Sequence, residues 1–190
     1  MATNDIVQEI DASLRKSDTE LEAALPKLLQ DIEGHVETFV RDYPETFNRL
    51  IERSRTVDIA SLVSDDPVIA ATFQELLWTR TNVLAESSPE VKEHIDDDIT
   101  VNFEAKDCPI AGHLVIDGDE QTMYGDTGRL DDPMLEITGP ATTLIGLILG
   151  NVHPIRGYIQ QQYDMDGPVH MGTRLAPIMN SLSEQVPVER

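Results

Sequence analysis

Four groupings of residues carry the kinds of side chain that chemistry needs. Asp117-Gly118-Asp119-Glu120 offers hard carboxylate oxygens of the sort a calcium ion takes, but no glycine stands at the sixth position of a loop started at Asp117 and no glutamate at the twelfth. The spacing fits a hairpin turn instead. Cys108, His113, His153 and His170 are zinc-type donors, yet no close-spaced pair among them makes a zinc motif. Asp164 and Asp166 alternate, so in a strand they share one face, where solvation rather than paired acid–base work is expected. Ser, His and Asp all occur, but there is no Gly-x-Ser-x-Gly, no phosphate-cradling glycine loop and no dinucleotide fingerprint. The expectation is therefore no catalytic residues, no metal, no cofactor and no enzymatic activity.

The elements around these residues point elsewhere. Met134–Leu182 holds a short strand (Met134–Thr138), Gly139-Pro140, an almost unbroken apolar segment Leu144–Leu149 closed by Gly150, a short helical patch, a polar strand around Tyr163–Asp166, Gly167, and a Met-rich helix. This is more apolar surface than a sheet and one amphipathic helix need to bury in each other. It reads as a module that binds something greasy.

Composition narrows the partners. The chain has 190 residues, enough for a substantial core, and a formal charge of -21 from 35 acidic against 14 basic residues. Only Lys16, Lys27, Lys92 and Lys106 are lysines. Such a surface repels nucleic-acid phosphates and anionic lipid headgroups, so no nucleic-acid partner is expected. The acidity is spread along the chain rather than gathered in a tail. That distribution favours adaptation to a salty cytoplasm, where the Debye length falls to ~3 Å at 1 M and self-repulsion is screened. Folding should then weaken in dilute buffer. Cys108 alone excludes an internal disulfide, the start MATNDIVQEID lacks the features of a signal peptide, and Ala141–Leu149 is far short of the ~20 apolar residues a bilayer span needs. A cytoplasmic protein without stable membrane insertion is expected.

Residues 1–95 read as helix throughout. Ile6, Ile10 and Leu14 recur at helical spacing, and Ser17 and Glu20 stand three apart as in a capping box. Leu21, Leu25, Leu28, Leu29, Ile32, Val36, Phe39 and Val40 continue the pattern, with Pro26 expected to kink or restart it. Pro44, Asp66-Pro67 and Ser88-Pro89 are start signals for further helices. Their apolar stripes suit the inner faces of a bundle, with Trp78 as a core aromatic and His35 and His94 solvated. The alternative is a stripe that pairs with another chain, in a homodimer or with a partner protein.

At Asp96-Asp97-Asp98 helical periodicity gives way to alternation, which places a boundary between a helical segment 1–95 and a second domain 96–190. Ile99–Ala105 alternates as a half-buried strand. His113–Ile116 and Gln121–Tyr124 flank the turn at Asp117-Gly118-Asp119, and Gly125-Asp126-Thr127-Gly128 reads as a loop. A three-strand meander, a fourth strand, helix, a fifth strand and helix make an α+β layer arrangement with one sheet face covered.

The order of elements over about 96–185 resembles the sterol carrier protein 2 family: strand, hairpin, strand, Leu135-Glu136-Ile137-Thr138, an apolar helix ending in Gly150, a short helix, a strand ending in Gly167, and Met171-Gly172 opening a helix with Leu175. The family's lysine-rich strand is here Gln160-Gln161-Gln162-Tyr163-Asp164-Met165-Asp166, and its C-terminal peroxisomal tripeptide is replaced by Val188-Glu189-Arg190. The resemblance implies a five-stranded, mainly antiparallel sheet with helices on one side and an apolar tunnel between them, which in the family holds fatty acyl chains, sterols or other lipids; a fatty acyl, isoprenoid or sterol-like ligand is expected here. It implies that Val101, Phe103, Val115, Met123 and Ile137 line the sheet side. Leu144, Ile145, Ile148 and Leu149 would form the helical wall, Ile155 and Ile159 would close one side, and Met171, Leu175 and Met179 the mouth. Methionine suits a site that adapts to differing shapes. Burying about a dozen methylenes at ~0.8 kcal/mol each gives roughly 10 kcal/mol gross, and association costs of ~4–15 kcal/mol leave weak, exchangeable binding. Binding and transfer of such a ligand is the expected function. The rival is a non-catalytic interaction or accessory module for a partner enzyme, with the tunnel closed.

Overall fold

A computed structural model of the chain describes residues 3–54 and 57–184, so Val188-Glu189-Arg190 lies outside the described residues. Helices α1 (Thr3–Ser13), α2 (Asp18–Ile32), α3 (Val36–Asp42), α4 (Pro44–Ser54), α5 (Ile59–Asp65), α6 (Pro67–Ser87) and α7 (Pro89–Lys92) come first. Strands β1 (Ile99–Ala105), β2 (Ala111–Asp117), β3 (Thr122–Thr127) and β4 (Leu135–Gly139) follow, then α8 (Ala141–Leu149), α9 (Pro154–Ile159), β5 (Asp164–Asp166) and α10 (Val169–Glu184). The start signals act as their chemistry requires. Ser17 and Glu20 close the capping box, and Asp66 accepts from the backbone N–H of Val68 at 2.8 Å. Pro26 neither ends nor restarts α2, because Leu21, Leu25, Leu28, Leu29 and Ile32 are all buried and hold the helix across the missing donor.

The fold is α+β, with a five-stranded sheet in the order β3-β2-β1-β4-β5. β1 and β4 are parallel and the other neighbours antiparallel. Parallel pairing forces the β3–β4 connection to cross the sheet, and three contacts lay it on the outer face. His113 Nδ1 meets the Gly128 carbonyl at 3.2 Å, Asn102 bonds both the N–H and the C=O of Leu130 at 2.9 Å, and Met134 N–H donates to Thr100 Oγ1 at 2.9 Å. Asn102 is buried for that reason. Arg129, in the same crossing, pairs with Glu104 at 2.8 Å and Glu136 at 2.7 Å.

The inner face carries Val101, Phe103, Leu114, Ile116, Met123, Leu135 and Ile137, all buried. Helices cover this face, and the helical half takes part: α6 lies over β3, while α8 packs on β1 and β4 and α10 packs on α8 and α9. The C-terminal helices do not cover the sheet alone, as the sequence suggested. α6 is buried around most of its circumference because α2, α3 and α5 pack on it from beyond the sheet, making a third layer. One apolar core therefore runs from Ile6 to Leu182.

The expected loop at Gly125–Gly128 is strand as far as Thr127. Its turn-like composition has another cause: Trp78 packs against Gly125, where a Cβ would lie 2.5 Å from Cε3 of the indole. The neighbouring turn is the hairpin expected at Asp117–Glu120, with Glu120 N–H donating to Asp117 Oδ1 at 2.8 Å.

Candidate functional site

Three elements at the β5 end of the sheet leave an apolar cleft. Pro154 fits the first turn of α9, where its missing donor costs nothing. β5 presents Met165 inward, in register with Ile137 and, through it, with Phe103. α10 runs past both and brings Val169, Gly172, Thr173 and Ala176 to the same space. The outer cavity, about 70 Å³, is lined by these four together with Pro154, Ile155, Tyr158, Tyr163 and Met165. A deeper cavity of about 20 Å³ shares Pro154, Tyr163, Met165, Gly172 and Ala176 with it and continues to Phe103, Ile137, Leu147, Leu175 and Met179. The two share this wall between sheet and helices.

Tyr163 holds the cleft together. It is buried and its hydroxyl donates to the Pro154 carbonyl at 2.7 Å, tying α9 to β5. Burial, with the Tyr158 hydroxyl nearby as a smaller effect, pushes its phenol above the usual tyrosine range, so it stays a neutral donor. Gly172 is bare because Met165 needs the room: a Cβ there would lie 2.6 Å from the thioether sulfur. Met165 lines both cavities, so its rotation would reshape both. At the rim of the cleft large apolar side chains reach solvent: Ile155 is 46 % exposed, Tyr158 40 % and Val169 60 %, and Ile159, beyond the lining, is 72 % exposed.

Of the residues expected to bind, Phe103, Ile137, Ile155, Leu175 and Met179 line the cleft or its deeper end. Leu144, Ile145, Ile148 and Leu149 are buried, but the lining of the two cavities draws only Leu147 from α8. α8 packs against β1, β4, α5, α6 and α10, and so spends its apolar surface on protein. Val101 and Met123 are buried away from the cleft, and Met171 is half-buried against the core. Val115 does not face the cleft: its register with Thr100 and Tyr124 puts it on the outer face, 37 % exposed. Ile159 closes nothing in this conformation, being exposed at the end of α9. Tyr158, Tyr163, Met165, Val169, Gly172, Thr173 and Ala176 were not expected. The alternation Tyr163-Asp164-Met165-Asp166 carries the signal for two of them, since period two sends Tyr163 and Met165 inward when the aspartates face out.

The residues with chemical potential do not assemble. Among the described residues no three His, Cys, Asp or Glu side chains gather as a metal site. Burial raises the Cys108 thiol above its ordinary range, which lowers its thiolate fraction. Asp164 is exposed and pairs with Lys106 at 2.5 Å. A polar hollow of about 180 Å³ beside His94 and Asp96 is bridged by the Arg174–Asp97 ion pair. No described helix is long and apolar enough to cross a membrane.

No family model matches the chain, and no curated protein matches it. Its fold is similar to solved structures. These include sterol carrier protein 2 from Yarrowia lipolytica in its apo form (11 % identity, 60 % of this chain and 94 % of that one, TM-score 0.44). They also include the sterol carrier protein domain 2 of Helicoverpa armigera (13 % identity, 61 % and 89 %, TM-score 0.42). A likeness to the stereoselective inverting sec-alkylsulfatase Pisa1 from Pseudomonas sp. covers 93 % of this chain but 29 % of that enzyme (11 % identity, TM-score 0.43).

Proposed function

We propose that the protein binds a hydrophobic ligand, a fatty acyl, isoprenoid or sterol-like molecule, in the cleft between α9, β5 and α10, without catalysis of its own, and passes it on. The observation that carries this reading is an apolar cleft opening among exposed Ile155, Tyr158 and Val169 on a protein whose surface is otherwise acidic. From Ile137 to Leu182 the only charged residues are Arg156, Asp164, Asp166 and Arg174, which cancel, so the whole formal charge of -21 lies outside this stretch. Burying an exposed Ile or Val side chain contributes about 1.5–3 kcal/mol, a reward available only when something apolar covers the opening.

The cavities are small beside the ~300–1,000 Å³ of sites that enclose drug-sized ligands. A whole chain enters only if Met165, Tyr158 and the α9 end swing aside, which unbranched methionine and a short exposed helix permit. That small volume also supports the second reading, an accessory module whose closed cleft and apolar rim meet a partner protein. Native mass spectrometry of protein purified in high salt separates the two. A bound mass matching an acyl, isoprenoid or sterol compound supports the carrier; a ligand-free protein that ignores added lipid and captures one partner supports the module.

A further inference from the structure

Arg80 is 3 % exposed, and among the described residues neither Nη1 nor Nη2 has a hydrogen-bond partner. It lies on the far side of α6 from the sheet. Gln74, Trp78 and Asn82, four residues apart, face the sheet: Gln74 accepts from Ala111 N–H at 3.1 Å, Trp78 packs on Gly112, and Asn82 meets Gly125. At about 100° per residue, Arg80 stands roughly 200° round the helix from Trp78. It therefore points to where α2, α3 and α5 pack on α6. Their buried side chains are apolar: Leu21, Leu25, Leu28, Leu29 and Ile32 on α2, and Val36, Phe39 and Val40 on α3.

A guanidinium taken out of water needs both a counter-charge and acceptors. The chain has 35 acidic residues, yet no Asp or Glu is buried among the described residues; the buried polar set besides Arg80 is Ser, Thr, Gln and Asn. Burial brings the Arg80 pKa down to about 10, so the group still carries its charge at neutral pH. We propose that Arg80 is the floor of an enclosed anion site in the helical half, and that it takes a small monovalent inorganic anion, chloride under ordinary conditions. One buried cation calls for one negative charge, which disfavours a dianion such as sulfate. The closure around it favours a halide over an organic acid. Five N–H donors in a planar fork suit a spherical acceptor set in the plane between two of them.

The site lies on the opposite side of α6 from the sheet, so its test is independent of ligand binding in the cleft. Crystals of the native protein grown in sodium bromide should show an anomalous peak within hydrogen-bond reach of the Arg80 guanidinium. In solution, chloride should be raised tenfold at constant sodium, with gluconate as the balance. The melting temperature should then rise by several degrees in the native protein, and Arg80→Met should lose that increment. Arg80→Met keeps the length of the stem and removes the charge; should it not fold, the bromide experiment on the native chain decides alone. Water in place of bromide at Arg80, or a chloride increment that survives intact in Arg80→Met, overturns the assignment.

Discussion

The indole of Trp78 lies against the bare backbone of Gly112, so close that a methyl group on that glycine would overlap Cζ2, Cε2 and Nε1 of the ring. Phe103, paired with Gly112 across the β1–β2 ladder, packs at a tilt of 50° against the same indole with ring centroids 6.0 Å apart. The helical half and the sheet are thus keyed together by an aromatic ring in the place of a missing side chain. Ala normally suits a strand better than Gly, which is entropically costly there. Here the sign reverses: Gly112→Ala should destabilise by about 1–3 kcal/mol, the usual cost of overpacking a closed core. The midpoint of urea unfolding measures it. Emission of Trp78, the only tryptophan, should shift red in the same transition that removes the helical circular dichroism.

A second link joins α6 to β3 through hydrogen bonds. Asn82 Nδ2 donates to the Gly125 carbonyl at 2.9 Å, and Gly125 N–H donates to Asn82 Oδ1 at 2.7 Å. β3 is an edge strand, so these bonds satisfy backbone groups that would otherwise be open to another strand. Asn82→Ala should cost about 1–3 kcal/mol, because it strands two partly buried polar groups. Asn82→Asp keeps the acceptor and loses the donor, and should fall between. Amide exchange at Gly125 should speed up in Asn82→Ala and stay slow in Asn82→Asp, where the acceptor of its N–H remains.

Tyr163 gives the cleft a pH dependence. Its folded pKa is raised above the ordinary value of 10, chiefly by burial. The unfolded chain releases this proton first as pH rises. The contribution is fully present below about pH 10 and is lost as pH climbs from there through the folded value. Stability measured by chemical unfolding should fall more steeply above pH 10 in the native protein than in Tyr163→Phe. The variant should also be less stable at pH 7, having lost the 2.7 Å bond to Pro154.

Much of the architecture is legible in the sequence because local signals and the tertiary fold agree. The alternation of Ile99–Ala105 becomes β1 residue for residue, and Gly150, at φ 80°, ends α8 where the apolar run stops. What escaped depends on distant partners. Gly125 looks like a loop residue until Trp78 is seen filling its face. α6 looks like a bundle helix until its Gln74-Trp78-Asn82 stripe is matched to β2 and β3. The cleft is displaced for a similar reason. The most apolar segment, Leu144–Leu149, is consumed by packing, whereas the cleft falls to less conspicuous residues such as Tyr163, Met165 and Ala176. Hydrophobicity marks what is buried; it does not say whether protein or ligand does the burying.

The most direct test is titration of the native protein and Gly172→Leu with a fluorescent fatty-acid analogue in high salt. Gly172 sits in the lining of both cavities and within α10, so leucine intrudes on both beside Met165 while improving helix propensity by about 0.8–1 kcal/mol. Its side chain must push the flexible Met165 thioether aside, a cost that the helix propensity offsets in part, and a melting curve checks that the variant is folded before binding is compared. The account predicts saturable binding to the native chain, displaced by an unlabelled long-chain alcohol, and at least a tenfold loss in Gly172→Leu. Equal binding by both proteins, or none by either, would contradict it.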